Sequence, residues 1–225
     1  CLRNMKEYNI KISTAFWLVL AYFGIMLFYT FLDVAVWRKV APDFSNIINI
    51  VTIAICIGVF IIFLKRVTGY QVQLLSNISF VGMMLAIGCS FLFFLLLDKG
   101  LDPIFEGIFP QSEQDYQEMI QSLTKSPMTS LIQVCVLTPV MEEILMRGVV
   151  LGGLKNSYGT VAALLISAVL FACLHFNMVQ TLSAFVCGIV LGLLYIRTNS
   201  VFCCMIAHSG YNLISYVVMI YPQIR

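Results

Sequence analysis

Seven apolar segments organise this chain of 225 residues. The first three are each close to the ~20 residues that a helix needs to cross the hydrocarbon core of a bilayer. They cover Ser13–Leu32, Ile47–Leu64, Ile78–Leu97, Met128–Leu154, Thr160–Phe176, Met178–Ile196 and Val201–Ile220. Only 11% of the residues are charged, whereas a soluble domain carries about 25%. The sequence therefore predicts an all-α, polytopic transmembrane helical bundle of about seven spans, although a division into six or eight is possible.

A polar stretch, Asp98–Pro127, divides the chain between the third and fourth spans. Within it, Gln114–Leu123 fits either a short surface helix or a plain connector. We therefore expect residues 1–127 to hold three N-terminal spans plus an acidic connecting loop, and residues 128–225 to form a four-span core. The first three spans contain no charged residue, so we expect them to anchor the protein and to pack.

Basic residues in the connections predict the orientation, because cytoplasmic loops carry an excess of Lys and Arg. With a cytoplasmic N-terminus, the inner segments hold seven basic residues: Arg3, Lys6, Lys11, Lys65, Arg66, Lys155 and Arg197. The outer segments then hold five: Arg38, Lys39, Lys99, Lys125 and Arg225. This favours a multi-pass membrane protein with its N-terminus in the cytoplasm. A net charge of +2 gives no reason to expect a nucleic-acid partner.

The fourth span contains two adjacent carboxylates, Glu142 and Glu143, and an arginine, Arg147. Ionised groups in hydrocarbon cost several kcal/mol, so an intramembrane charge indicates a functional site. Glu143 and Arg147 are four residues apart and can pair on one helix face. Glu142 lies about 100° further round the helix and is free to point elsewhere. Pro139 predicts a kink that opens room for water beside the carboxylates.

Two histidines, His175 and His208, are the only ones in the chain, and both lie in apolar spans. His208 shares a helix face with Asn212, and Phe171 shares one with His175. The span boundaries put His175 near the outer end and His208 nearer the inner end. If both serve one site, a span must be tilted, broken or longer than drawn.

A carboxylate beside a neutral imidazole can hold a water molecule and take its proton. A second histidine and an amide can donate hydrogen bonds to a developing oxyanion. Together these groups describe hydrolysis of an acyl bond without a covalent intermediate. One glutamate and two histidines could also bind zinc with a water in the open position, but the H-E-x-x-H pattern is missing.

The eight cysteines are scattered without a C-x-x-C pair and are expected to be small buried hydrophobes. Cys173, near His175, is an unsupported candidate for a thiol nucleophile.

Three short motifs on successive spans resemble those of a known family. They read Glu142-Glu143-Ile144-Leu145-Met146-Arg147, Phe171-Ala172-Cys173-Leu174-His175 and His208-Ser209-Gly210-Tyr211-Asn212. The order and spacing resemble the CAAX-protease and bacteriocin-processing (CPBP) family of intramembrane endopeptidases, which includes the Ras-converting CAAX endopeptidase. The resemblance covers about Met128–Ile220, and the first three spans carry no motif of this kind.

The resemblance implies a catalytic role for four residues: Glu142 as the general base, His175 as the group that helps to hold the water, and His208 with Asn212 as the oxyanion site. Glu143, Arg147 and Phe171 would support them. Within this resemblance, a metal-independent glutamate mechanism is slightly favoured. The reason is that the side chain of Asn212 fits a hydrogen-bond donor to an oxyanion better than it fits a zinc ligand. The zinc alternative would use Glu142, His175 and His208.

The implied partner is a membrane-associated peptide or protein substrate within the lipid bilayer. Two other functions remain open. One is a non-catalytic scaffold of the same fold that regulates a membrane protein partner. The other is a transporter or proton relay through Glu142, His175 and His208, although the sequence shows no inverted repeat that would support it.

Overall fold

The structure is a computed structural model that describes residues 8–71 and 74–221. The side chains at positions 113, 115, 116, 119, 120 and 122 are not described. Helices account for almost all of the described residues. The described residues form these helices: α1 Ile12–Val40, α2 Pro42–Thr68, α3 Phe80–Ile108, α4 Pro110–Thr124, α5 over residues 127–158, α6 Thr160–Ala172, α7 Met178–Thr198 and α8 Val201–Ile220. No strand occurs in this part of the chain. The predicted all-α class is confirmed.

Five of these helices are long and apolar enough to cross a membrane: α1, α2, α3, α7 and α8. The helix α6 is apolar but has only 13 residues. The helix α5 is long, but its two carboxylates and its arginine lower its mean hydropathy. These five apolar helices, together with α5 and α6, are compatible with the predicted count of about seven spans. The protein is an integral membrane protein.

The outer helices present apolar side chains that lipid can cover. Trp17 and Phe31 of α1, Ile55 and Val59 of α2 and Phe80 of α3 are all more than half exposed. Exposed apolar residues of this size suit a hydrocarbon solvent, since the backbone polar groups are already paired inside each helix. The three N-terminal helices therefore carry apolar outer faces, and their role as anchoring elements stays a prediction.

The polar stretch after the third predicted span is helical. The helix α3 does not end near Leu97 but continues through Asp98 and Lys99 to Ile108, and α4 follows. The surface-helix alternative for Gln114–Leu123 is therefore the one observed, while the face formed by Tyr116, Met119 and Ile120 lies outside the described side chains. The extension of α3 brings Asp98 against α8, which charge and hydropathy did not predict.

The motif-bearing helix α5 lies at the centre of the bundle. Every residue from 141 to 151 is buried, so the charges of this helix are shielded from lipid by protein. Two of its segments, Gln133–Leu137 and Ile144–Leu151, are π-helical. Such widened turns occur frequently at functional sites. Gly159, with a φ of 81°, ends α5 and lets α6 start at once.

Small residues let α7 approach α6 closely, as the row Ala184, Gly188 and Gly192 suggests. A Cβ atom added to Gly188 would lie 3.1 Å from the Cα atom of Ala168. At Gly192 the added atom would meet the side chain of Leu164. The two helices therefore pack backbone against backbone beside α5.

Candidate active site

A buried ion pair joins two motif residues of α5. Arg147 Nε lies 3.1 Å from Glu143 Oε2, and neither side chain has any exposed surface. The contact is an ion pair rather than a well-aligned hydrogen bond. Arg147 Nη2 donates to the carbonyl oxygen of Gly188 at 3.4 Å, and its guanidinium lies 4.7 Å from the ring centroid of Phe171. The spacing of four residues therefore produces the pairing that it predicts, and Phe171 and Gly188 complete its surroundings.

His208 of α8 lies between the two carboxylates. Its Nδ1 atom is 2.9 Å from Glu143 Oε1, and its Nε2 atom is 3.9 Å from Glu142 Oε2. Both glutamates and His208 are buried. The Nδ1 atom of His208 is thus held by Glu143, and its Nε2 atom lies on the side of Glu142.

His175 lies in the turn between α6 and α7, because α6 ends at Ala172 and not at Phe176 as predicted. Its Nδ1 atom is 3.2 Å from the carbonyl oxygen of Phe171, and the hydroxyl of Thr181 donates to the carbonyl oxygen of His175 at 2.6 Å. Asn177 caps α7 by accepting from the N–H groups of Val179 and Gln180. These contacts hold the turn in one conformation and fix the position of the imidazole.

Phe171 brings the two histidines to one site. Its ring centroid lies 5.3 Å from that of His175 and 5.8 Å from that of His208, both in edge-to-face geometry. The depth mismatch in the sequence disappears because α6 ends at Ala172 and is short. The turn that follows therefore places the His175 ring against Phe171, whose other contact is His208.

Asn212 lies one turn beyond His208, and its side chain donates a hydrogen bond to the backbone of α5. Its Nδ2 atom donates to the carbonyl oxygen of Val134 at 2.9 Å. Val134 belongs to a π-helical stretch, in which the carbonyl of each residue accepts a hydrogen bond from the N–H of the residue five positions later. For Val134 that residue is Pro139, which has no N–H. Asn212 thus satisfies a carbonyl that proline leaves free. One of its amide N–H groups is used in this way, and the other has no hydrogen-bond partner among the described residues.

The structure brings six of the seven predicted site residues together around the ring of Phe171: Glu142, Glu143, Arg147, Phe171, His175 and His208. It does not join Glu142 to His175, because no described hydrogen bond or ion pair links them. Nor does any group of three His, Cys, Asp or Glu side chains, within the described residues, come together as a metal site. The zinc alternative through Glu142, His175 and His208 stays a prediction.

Two tyrosines of α1 lie against the part of α5 that precedes Glu142, although the sequence assigns that helix to anchoring alone. Tyr22 and Tyr29 are buried. Both line a pocket that also includes Thr138 and Met141 of α5. The signal in the sequence is weak: two tyrosines seven residues apart lie on one helix face, which equally describes ordinary packing.

Asp98 is a second feature that the sequence does not reveal. Its two oxygens accept hydrogen bonds from the hydroxyls of Tyr211, at 2.7 Å, and Ser215, at 2.5 Å. Tyr211 directly precedes Asn212, so Asp98 ties α3 to the part of α8 that carries the third motif. In the sequence Asp98 has the appearance of a loop residue that closes a span.

Comparison with known proteins agrees with the motifs. Residues 124–214 match the family described as Type II CAAX prenyl endopeptidase Rce1-like. The matched region begins at the end of α4 and includes α5, α6, α7 and the motif of α8. No curated protein matches the chain, and no solved structure does. Over residues 124–214, which carry all three motifs, this chain is therefore similar to the Rce1-like type II CAAX prenyl endopeptidases.

Proposed function

We propose that the protein is an intramembrane endopeptidase that hydrolyses a peptide bond in a membrane-associated protein or peptide precursor. The observation that carries the proposal is the position of His208 between Glu142 and Glu143, where all three side chains are buried inside the bundle. A carboxylate and an imidazole, buried together and held by a neighbouring ion pair, suit acid–base chemistry on a water molecule. The family match supports protease activity in general.

Glu142 is the proposed general base. It takes a proton from a water molecule as the water oxygen bonds to the carbonyl carbon of the substrate. His175, which is fixed at the turn after α6, helps to hold that water. The tetrahedral intermediate then breaks its C–N bond, and Glu142 returns the proton to the departing amine nitrogen. The products are a carboxylic acid and an amine, so no covalent intermediate with the enzyme forms.

His208 and Asn212 are the proposed oxyanion site. The Nε2–H of a protonated His208 and the remaining amide N–H of Asn212 can donate to the oxygen that gains charge. Glu143 stabilises the imidazolium from the Nδ1 side. Two carboxylates, one guanidinium and one imidazolium then sum to zero charge, which lowers the cost of burying the four groups.

We favour a mechanism without metal. His208 is held by Glu143 through Nδ1, and the Asn212 amide is an anion-binding group rather than a zinc ligand. In this scheme the ion pair of Glu143 and Arg147 positions His208 and takes no proton. A chelator added to the assay below, once cleavage is seen, is then expected to leave the rate unchanged.

The test compares membrane-associated peptides from cells that produce the wild type with peptides from cells that produce Glu142→Gln at matched expression. General-base catalysis contributes about 10²–10⁴-fold to a rate, so a precursor is expected to accumulate in the variant, and its mature product to disappear. Mass spectrometry identifies the precursor and its cleavage site. Glu118→Gln, which removes an exposed carboxylate of α4, is the matched control and should process the precursor normally.

Identical peptide profiles for wild type and Glu142→Gln, with both proteins folded in the membrane, would remove the catalytic role. A scaffold that binds a membrane partner would then explain the fold better. Glu142→Gln that fails to reach the membrane is distinguished by its expression level, and Glu142→Asp, which keeps the charge, then serves in its place. Uptake by proteoliposomes would instead indicate a transporter.

A further inference from the structure

Two polar side chains of α3 form hydrogen bonds with α8 close to its proposed oxyanion groups. The first is Ser90, a buried residue whose hydroxyl donates to the carbonyl oxygen of Ala207 at 3.0 Å. Ala207 directly precedes His208. The two helices are in close contact here, since a Cβ atom added to Gly210 would lie 2.5 Å from the hydroxyl oxygen of Ser90. The first half of α8 is therefore held against α3 by close packing as well as by a hydrogen bond.

The second polar side chain is Asp98, about two turns further along α3. One of its carboxylate oxygens accepts from the hydroxyl of Tyr211 at 2.7 Å, and the other accepts from that of Ser215 at 2.5 Å. Tyr211 directly precedes Asn212, and its ring packs edge-to-face on Phe93 of α3, with centroids 5.6 Å apart. Because the two hydroxyls are one helical turn apart, a carboxylate that holds both resists rotation and sliding of α8.

Polar contacts matter more for the second half of α8 than for the first. Most residues from 201 to 208 are buried, whereas Tyr216 is the only buried residue from 209 to 220. Lipid is as apolar as a packed side chain, so apolar contact alone does little to fix one helix against another in a membrane. In this half, α8 forms hydrogen bonds with α3 through Asp98 and with α5 through Asn212 and Tyr216.

The residues that Asp98 holds share a helix face with the proposed oxyanion groups. At 100° per residue, four side chains of α8 lie within about 100° of one another: His208, Tyr211, Asn212 and Ser215. On this face His208 and Asn212 bond α5, while Tyr211 and Ser215 bond α3. A rotation of α8 that broke the contacts with Asp98 would therefore also move both oxyanion groups relative to Glu142.

We propose that Asp98 is a positioning residue for the oxyanion site, because it fixes the rotation and depth of α8 and, through Tyr211, the place of the Asn212 amide. The inference rests on the proposed function, in which His208 and Asn212 donate to the oxyanion. Donors that are held in place before the reaction stabilise a developing charge most effectively. Asp98 lies outside the three motifs and outside residues 124–214, which match the family. It gives α3 a part in the reaction in addition to anchoring.

The test measures kcat, KM and thermal unfolding of the purified protein in detergent, with the precursor that accumulates in Glu142→Gln cells as the substrate. Asp98→Ala removes both acceptor oxygens. A displacement of about 1 Å at a reacting site can cost about 100-fold in rate, and loss of an interaction made only in the transition state lowers kcat without raising KM. We therefore expect kcat of Asp98→Ala to fall about 10–100-fold, with KM close to that of the wild type.

Two further variants test the contact itself. Asp98→Asn keeps an acceptor oxygen, and its amide can donate to the hydroxyl of Ser215, so it should recover most of the kcat that Asp98→Ala loses. Tyr211→Phe should lower kcat in the same way, but should cause no further loss when added to Asp98→Ala, because effects within one hydrogen-bond network are not additive. Asp43→Ala removes an exposed carboxylate of α2 and is the control, with the wild-type kcat expected.

The outcomes separate this inference from the proposed function. If no precursor accumulates in Glu142→Gln cells, the proposed function fails, and the role of Asp98 fails with it. If the precursor accumulates, but Asp98→Ala unfolds at a lower temperature and keeps the wild-type kcat per folded molecule, Asp98 is a structural residue only and the protease stands. A raised KM with an unchanged kcat, or losses that multiply in the double variant, would equally overturn the positioning role. Should Asp98→Ala fail to fold, Tyr211→Phe decides, and a wild-type kcat in that variant would refute the role.

Discussion

Arg147 shows what a buried charge requires at the scale of one residue. Its side chain has no exposed surface, and removing a charge from water costs several kcal/mol. The carboxylate of Glu143, the ring of Phe171 and the carbonyl of Gly188 replace part of the lost hydration. Glu143 in turn holds His208. The charge of Arg147 is therefore tied to the position of the imidazole.

The first prediction concerns this ion pair. Arg147→Met should destabilise the protein by about 3–5 kcal/mol, because it leaves Glu143 as a buried charge without its cation. Adding Glu143→Gln should recover most of that stability, since a neutral pair is easier to bury, whereas hydrolysis should stay low because His208 loses its carboxylate. Thermal unfolding of the purified protein in detergent, together with the precursor assay, measures both effects.

Arg66→Met is the control, because Arg66 is exposed at the end of α2 and exposed substitutions usually change stability by about 0.5 kcal/mol or less. A double variant as unstable as Arg147→Met alone would contradict the ion-pair explanation. Full hydrolysis in the double variant would show that Glu143 does not position His208.

At the scale of elements, the packing of α7 on α6 determines the position of the Gly188 carbonyl, which accepts a hydrogen bond from Arg147 of α5. Gly188 serves both contacts: its backbone approaches Ala168 of α6, and its carbonyl accepts from Arg147. The turn between these helices carries His175. The separation of α6 and α7 therefore affects both the support of Glu143 and the position of a proposed catalytic group.

Gly188→Leu should push α7 away from α6, because the nearest atom to an added Cβ is the backbone Cα of Ala168 at 3.1 Å and cannot rotate aside. Overpacking of this kind costs about 1–3 kcal/mol. We expect a lower melting temperature in detergent and a lower cleavage rate, since the carbonyl moves away from Arg147. Gly58→Leu in α2, where an added Cβ meets nothing within 4 Å, should leave both unchanged, and equal losses in the two variants would contradict the packing argument.

At the scale of the whole molecule, the loops between successive helices lie alternately at the two ends of the bundle, and polar contacts join the loops at each end. At one end Asn77 donates to the carbonyl oxygen of Asn199, and Asn156 donates to that of Tyr8. At the other end Asn46 donates to the hydroxyl of Ser126. This is the alternation expected of a chain that crosses a bilayer about seven times. The basic residues Lys65, Arg66, Lys155 and Arg197 all lie at the first end.

We propose that the first end is cytoplasmic, following the rule that basic loops stay inside. The turn after α6 then faces outward, and it carries Cys173, an exposed thiol. A membrane-impermeant maleimide added to intact cells should label the wild type, and Cys173→Ser should lose most of that labelling. Labelling of Cys173 only after the cells are made permeable would reverse the orientation.

The sequence alone determined the helical class, the approximate number of spans and the identity of the charged group inside them. It could do so because lipid allows few spanning structures and makes each buried charge conspicuous. The pairing of Glu143 with Arg147 also followed from spacing, because both residues lie on one helix. Helix ends were less predictable: α3 runs past Asp98 because that carboxylate finds Tyr211 and Ser215 on α8.

Only the tertiary structure decided what lies across from each motif. It set His208 between two carboxylates, used one Asn212 N–H for the carbonyl of Val134, and brought Tyr22 and Tyr29 against α5. It also brought His175 to Phe171 and His208, because α6 is shorter than its apolar run suggests. Contacts between helices depend on rotation, depth and crossing angle. A hydropathy pattern records which face of a helix is apolar and not which neighbour that face meets.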